Sequence, residues 1–516
     1  MHNWSRFPVG IAIIITLAVV GVLSWRGLAP GRPDLDRRDD VIRVGIYALP
    51  PGQGSPLRLL GPPGIFIASA IFDTLVEVAP GGVPTPALAV SWDHEAPDRW
   101  RFSLRPGVVF SNGEAMDAAA VVSSFRRVMD LSQPTVLSSL VAIVASVERV
   151  DDLTVEFATK RPVASLPTDI AGVWIVPPGA WQQKGEVEFA KSPVGSGPFV
   201  VSRWTANEVA LVANPLSWRR PMVAGLTFIE VPDDSARLSA FLSGAIDVAI
   251  QTSPDGFDAI AGAGGRVLAT PAGTVYTLAL NTERPGSPFA DVRVRRAMNY
   301  AVDKDQIARV LYRGRVQPSG QPASSITAGF DPKIAPYPYD PARARALLAE
   351  AGYAGGFDLV VEVVTNAIPA DAATFSAVAR DLAVVGIRAE VRSVPLPVFF
   401  ARLFDNSLEG LAFQLGFISM PNLDTVKAMA DFSCDKPGSH PFACLPDVQV
   451  LVEHARAELD PSARAALMAT INRAAHDQAL ALFLNDAVDL IAVSARVAGD
   501  APATRYYHWE RFTLHH

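Results

Sequence analysis

Between Leu278 and Ala351 the chain sets out a succession of elements, each with its own start and stop signals. Leu278-Ala-Leu-Asn-Thr-Glu283 reads as a strand running into a turn, and Phe289 to Ile307 carries two short helices. Asp303 can cap the second of them, with Gln306 three residues on to complete a capping box. Pro336-Tyr-Pro-Tyr-Asp-Pro341 is a stiff connector. Asp340 before Pro341 starts a third helix, and Gly352 ends it. No catalytic group is displayed along this run. A strand followed by helices, in a chain that keeps alternating the two, constrains the fold class to α/β.

The same signals extend the reading in both directions. Val41 to Tyr47 is a first strand, Ile65 to Leu75 a helix, and Trp100 to Leu104 a strand that turns at Arg105-Pro-Gly107. Asn112-Gly113 marks a further turn, Ala118 to Met129 has helical apolar spacing, and Ser462 to Leu482 is an Ala-rich helix after Asp460-Pro461. At 516 residues the chain exceeds what one core supports, so two or three domains are expected. Hydrophobic residues at 49% against 19% charged exclude a disordered chain. A net charge of -7 without a Lys/Arg-rich run excludes nucleic acid as a partner.

Phe7 to Trp25 holds no charge, and Arg6 and Arg26 bound it. As a helix it would reach ~28 Å, close to the hydrocarbon thickness. It is an export signal or an uncleaved anchor in the cytoplasmic membrane. No cysteine lies near it, which excludes a lipoprotein. Cys434 and Cys444, the two cysteines present, bracket a loop able to turn back on itself, and export favours a disulfide between them. With His440 they could instead make a metal fragment, but three ligands without a fourth make a poor zinc site. Gly195 and Gly197 bracket a Pro-rich turn, not a phosphate loop. No Gly-x-Ser-x-Gly elbow or His-Glu-x-x-His pair is present, so neither an enzyme nor a cofactor is expected.

Several stretches together carry a family resemblance. They are Ser91-Trp92, Trp100-Arg-Phe-Ser-Leu-Arg-Pro-Gly-Val-Val-Phe110, Asn112-Gly-Glu114, Val121-Val-Ser-Ser-Phe125, Pro193-Val-Gly-Ser-Gly-Pro-Phe199, Trp204, Asn214-Pro-Leu-Ser-Trp218 and the 278–351 run. The chain from about residue 40 onward resembles the family 5 extracytoplasmic solute-binding proteins, the peptide/opine/nickel-binding subunits of ABC importers. The resemblance implies a two-lobed periplasmic-binding-protein fold of the class II type, joined by a hinge of two crossing strands. By segment, 1–39 would be signal or anchor and linker. Residues 40–78, 190–268 and 485–516 would form the first lobe, 79–189 its inserted subdomain, and 269–484 the second lobe. It also implies a monomer that binds a small-molecule or oligopeptide ligand between the lobes and hands it to permease subunits served by a separate ATPase. A membrane-tethered sensor or chaperone using the same cleft is the alternative. The motif tryptophans Trp92, Trp100, Trp204 and Trp218 suit packing better than ligand contact.

Ligand anchors depart from the better-known relatives. Peptide binders resembling this chain hold the ligand amine with an Asp in a Gly-Trp-x-x-Asp motif. The matching stretch here is Gly416-Phe-Ile-Ser-Met420, so Met420 stands at the Asp position and Phe417 at the Trp. Where dipeptide binders carry an arginine for the carboxylate, this chain has Thr365-Asn366. Losing an anchor inside a closed cleft costs several kcal/mol, so an ordinary dipeptide is not the expected ligand. The candidate ligand residues are Thr365, Asn366, Ser419, Asn422 and Asp424, with Phe417 and Met420 as apolar wall and Tyr276 near the hinge. Asn422 could equally cap a turn, Asp424 start a helix at Thr425, and Asn281 serve as a structural cap.

Overall fold

The structure, a computed structural model, describes residues 40–515 apart from 60, 62, 132–135, 365–369 and 435–441. The apolar run Phe7–Trp25 therefore lies outside the described residues. Among those described, no helix is long and apolar enough to cross a membrane.

In chain order the strands are β1 (Val41–Ile46), the hairpin β2 (Val76–Ala79) and β3 (Val83–Pro86), and then β4 (Ala89–Ala96), β5 (Arg99–Leu104), β6 (Val144–Asp151) and β7 (Thr154–Thr159). They continue with β8 (Phe199–Trp204), β9 (Glu208–Ala213), β10 (Gly225–Glu230), β11 (Val248–Ile250) and β12 (Arg266–Leu280). Then come β13 (Phe357–Val364), β14 (Ile387–Val394), β15 (Ala412–Ile418) and β16 (Ala481–Val493), followed by a short antiparallel pair, β17 (Val497–Ala498) and β18 (Thr513–Leu514). One ten-stranded sheet runs β14-β13-β15-β12-β16-β11-β1-β10-β9-β8. A separate antiparallel sheet, β4-β5-β7-β6, falls inside the segment expected to be inserted.

Two strands explain how one sheet serves two lobes. β12, 15 residues long, pairs antiparallel with β16 from Arg266↔Val493 to Pro271↔Val488 and again from Val275↔Asp486 to Ala279↔Ala481. Its far half also pairs with β15, from Thr274↔Ile418 to Leu280↔Ala412. The resemblance implies a hinge of crossing strands; in the structure the two are antiparallel neighbours whose ladder shifts register twice, at Pro271/Val275 and at Tyr276/Thr277. Regularity fails between Pro271 and Val275. Pro271 has no N–H to give, and Gly273 takes φ +63°, a left-handed conformation open to glycine.

The cores divide where those strands cross. Period-2 alternation sends successive strand residues to opposite faces. In the first lobe Val248 and Ile250 join one core while Ala249 joins another. In the second, Leu482 and Leu484 face one core, and Ala481 and Phe483 the other. The larger first-lobe core is shared: Ile42, Phe66 and Phe228 pack in one cluster with Phe102, Phe125 and Phe157 of the four-stranded sheet region and with Trp509 near the C-terminus. Buried Arg219 crosses this core, its Nε 2.8 Å from Asp73 Oδ1 and its Nη1 3.0 Å from Glu510 Oε2. Trp218 donates to Asp73 Oδ2 at 3.0 Å and carries Arg105 over its ring, so this motif tryptophan packs.

Local expectations meet three corrections. The Ala-rich helix spans Pro461–Asp477, not Ser462–Leu482; Ala479 takes φ +45°, and Ala481 already begins β16. The helix over 65–75 stops at Ile71, with Phe72 extended. Asp303 caps its helix, accepting from Gln306 N at 2.8 Å, but the return half of the box is missing. Asp303 N instead donates to Asp381 Oδ2 at 3.0 Å. Cys434 and Cys444 are joined, sulfur to sulfur, at 2.05 Å.

Candidate functional site

The loop leaving β15 carries four of the sequence candidates and is docked onto the irregular point of β12. Ser419 donates to Gly273 O twice, from its N at 2.9 Å and its Oγ at 2.7 Å, and shares a 2.9 Å hydrogen bond with Thr327 Oγ1. The half-buried Met420 follows, joined to Pro421 by a cis peptide. A Cβ on Gly273 would lie 2.6 Å from Leu423 Cδ2 and 3.0 Å from Met420 Cγ, so the glycine admits the loop. Leu423 N returns to Ser419 O at 2.7 Å and Ala328 N donates to Leu423 O at 2.7 Å, closing the turn.

Asn422 and Asp424 point this loop at the first lobe and at its own lobe, respectively. Asn422, 3% exposed, donates from Nδ2 to Asp169 Oδ1 across the seam between the lobes. Its Oδ1 is buried and has no hydrogen-bond partner among the described residues. Asp424 caps the helix Thr425–Ala428, accepting from Lys427 N at 2.7 Å, and its Oδ2 pairs with Arg464 Nη2 at 2.6 Å. Asp169 ends the short helix Leu166–Asp169 and accepts from Ser165 Oγ at 2.9 Å. Among the described residues it has no ion pair. Burial, then the Asp424 charge, push its carboxyl up to about 6, against the pull of Ser165, Asn422 and Arg464.

These groups open on a cavity of about 380 Å³ between the lobes. Leu140, Lys160, Arg161, Ser165 and Asp169 line it from one side, and Asn422, Asp424, Lys427 and Arg456 from the other. Nearby, the tip of the β2–β3 hairpin touches the second lobe: Gly81 N donates to Ile326 O at 2.7 Å, and Gly82 rests against Leu423 O.

A second polar cluster occupies the hinge. Arg505 grips Asp489 of β16 with both arms, at 2.7 and 2.8 Å, and Asp489 is 2% exposed. Tyr276, half-buried on β12, lies beside them; burial holds its phenol above the ordinary range despite Arg505. Tyr47, just past β1, is pushed up to about 12 by burial, again with Arg505 pulling down.

The sequence candidates thus separate. Ser419, Met420, Asn422 and Asp424 share one loop, and Tyr276 sits at the hinge. Thr365 and Asn366 lie outside the described residues. Phe417 departs from the expected apolar wall: it is fully buried, stacked 3.9 Å from Phe432 and 5.7 Å from Phe483, because its strand alternation turns it into the second-lobe core. Asp424 takes the helix-start role. Asn281 caps a turn, accepting from Glu283 and Arg284 N at 3.2 and 3.0 Å. Sequence reasoning missed Asp169, whose partner Asn422 lies 253 positions away.

Two lobes on a shared pair of strands, with a polar cavity at their seam, define the class of two-lobed periplasmic binding proteins. The chain belongs to the bacterial extracellular solute-binding proteins of family 5, whose model matches residues 83–422. It is 30% identical over 359 residues to "Di/tripeptide-binding protein 2" of Pseudomonas aeruginosa, covering 63% of this chain and 67% of that one. It is 29% identical over 308 residues to the nickel-binding periplasmic protein of Escherichia coli, covering 57% of this chain and 58% of that one. The solved MoaA from A. tumefaciens R10, in complex with mannopinic acid, superposes with a TM-score of 0.75 at 23% identity, over 92% of this chain and 99% of that one.

Proposed function

We propose that this protein is the capture subunit of an ABC importer for peptides or a peptide-like, opine-like solute, held between the lobes and carried to permease subunits. The observation carrying this reading is the seam cavity, walled by both lobes while β12 and β16 tether them. A solute touching both walls stabilises the closed form by its differential affinity, and closure is what a permease can read. The relatives support the ligand range, since one is named for di- and tripeptides and another is solved with mannopinic acid. The Cys434–Cys444 disulfide suits an oxidising, extracytoplasmic compartment. The Phe7–Trp25 run would hold the protein at the outer face of the cytoplasmic membrane, or be removed on export. The role is binding without chemistry.

A thermal-shift screen of the purified protein against di- and tripeptides, opines and sugar–amino-acid conjugates tests the reading. A solute at 100 times its Kd adds ~2.7 kcal/mol to native stability, a readable rise in Tm. A shift with none of these classes would refute the assignment.

A further inference from the structure

Resting on that reading, we infer that Asp169 and Asn422 form an amine-recognising subsite, which makes the captured solute one that carries a protonated amine. Two independent observations meet at this point of the cavity. Among the described residues, Asp169 is a carboxylate at the lobe seam with no ion pair, and its two oxygens accept only from Ser165 Oγ and Asn422 Nδ2. Asn422, 3% exposed, has a buried amide oxygen that meets no donor among the described residues. A buried acceptor without a donor costs free energy that a bound donor recovers. An ammonium brings two or three N–H donors and a compensating charge, so it can satisfy both groups at once. A divalent cation fits worse: it asks for six or more oxygens, and among the described residues no cluster of three or more His, Cys, Asp or Glu side chains could hold one.

The rest of the wall orients such a solute. Lys160, Arg161, Lys427 and Arg456 line the same cavity, while Asp424, the other acid there, is taken by Arg464. The amine is therefore drawn to the Asp169 end, and an acidic group on the solute is drawn to Lys160 and Lys427, since Arg161 and Arg456 both pair with Glu453. The anchor missing at Met420 reappears on the opposite lobe, so that the amine bridges Asp169 of one lobe and Asn422 of the other and rewards closure directly.

Isothermal titration calorimetry on the full-length protein tests this at pH 7.5. The probes are Ala-Ala, Ala-Ala-Ala, octopine and mannopine, each beside its N-acetylated form, on wild type, Asp169→Asn and Asn422→Leu. We expect amine-bearing probes to bind wild type, acetylation to weaken binding at least 10-fold, and Asp169→Asn to lose at least 10-fold with an unchanged near-ultraviolet circular dichroism spectrum. Asn422→Leu should weaken the same probes about 3- to 10-fold, keeping the test available should one variant misfold. Equal binding of an acetylated probe, or unchanged affinity in folded Asp169→Asn, overturns the subsite and leaves solute capture standing. Binding by no probe overturns both.

Discussion

The two polar clusters that meet the hinge and the seam are built on opposite principles. At the hinge, Arg505 and Asp489 satisfy each other completely, with two hydrogen bonds below 3 Å and almost no exposure of the acid. At the seam, among the described residues, Asp169 makes no ion pair and Asn422 keeps an oxygen without a donor. The first arrangement is complete within the chain and holds a shape. The second is unfinished, and an unfinished polar pair between movable walls is where a solute adds the most.

Breaking the hinge pair should have the largest effect. Arg505→Met leaves Asp489 buried and unpaired and should cost about 3–5 kcal/mol, read by urea unfolding. The double variant Arg505→Met/Asp489→Leu should recover most of that loss, since replacing both partners with apolar groups is often neutral. If the double variant is as unstable as the single, the cluster is more than a buried pair. Next comes the point linking the two regions. Gly273→Ala forces a left-handed φ on a residue with a Cβ and crowds Leu423 and Met420, for about 1–2 kcal/mol of lost stability. Because the loop bearing Asn422 is docked there, solute affinity should fall as well.

The third effect concerns pH. The carboxyl of Asp169 is raised, so the native state binds a proton more readily than the unfolded chain does. Its contribution to stability is fully present below about 4 and is lost as pH rises through about 6. Asp169→Asn should therefore match wild type near pH 4 and exceed its stability above pH 6, by a margin that grows as pH rises between the two. Paired urea titrations at pH 4, 5, 6 and 7.5 measure this; a flat difference would mean that Arg464, Lys427, Lys160, Arg161 and Arg456 outweigh Asp424 and hold Asp169 ionised throughout. A variant that is more stable yet binds solute less would mark the seam as a site kept ready at the expense of the empty fold.

Local chemistry was legible in the sequence wherever a few neighbouring residues decide it. Asp340 before Pro341 starts a helix because the cap, the fixed proline φ and the first free N–H all lie within four residues, and Arg343 N indeed donates to Asp340 at 2.8 Å. Ala118–Met129 was readable from apolar spacing alone. The helix expected to run through Leu482 shows the limit. Alanine and leucine suit a helix locally, but β12 and two cores claim Ala481 onward as a strand. The site was half legible. Motif position led to the 419–424 loop, yet nothing local told that Asp424 would be consumed by Arg464, or that Asn422 would meet an acid from the other lobe. Those pairings depend on closing long loops, and no short spacing records them.

The route of the chain through its cores also sets an order of assembly. Every buried residue of the two second-lobe cores falls between Val275 and Leu484, so that half can condense from one uninterrupted stretch. The first lobe cannot. Its core opens with Ile42 and Phe66 and is completed by Tyr507, Trp509 and Phe512, and Trp509 Nε1 donates to Phe66 O at 2.7 Å across 443 positions. A polypeptide emerging N-terminus first must hold Phe66, Ile67 and Phe72 without their cover until its final residues arrive. Contacts of such long range make maturation slow and leave an aggregation-prone apolar face exposed meanwhile. Clipping the last ten residues should therefore leave the second lobe folded and the first lobe dependent on chaperones.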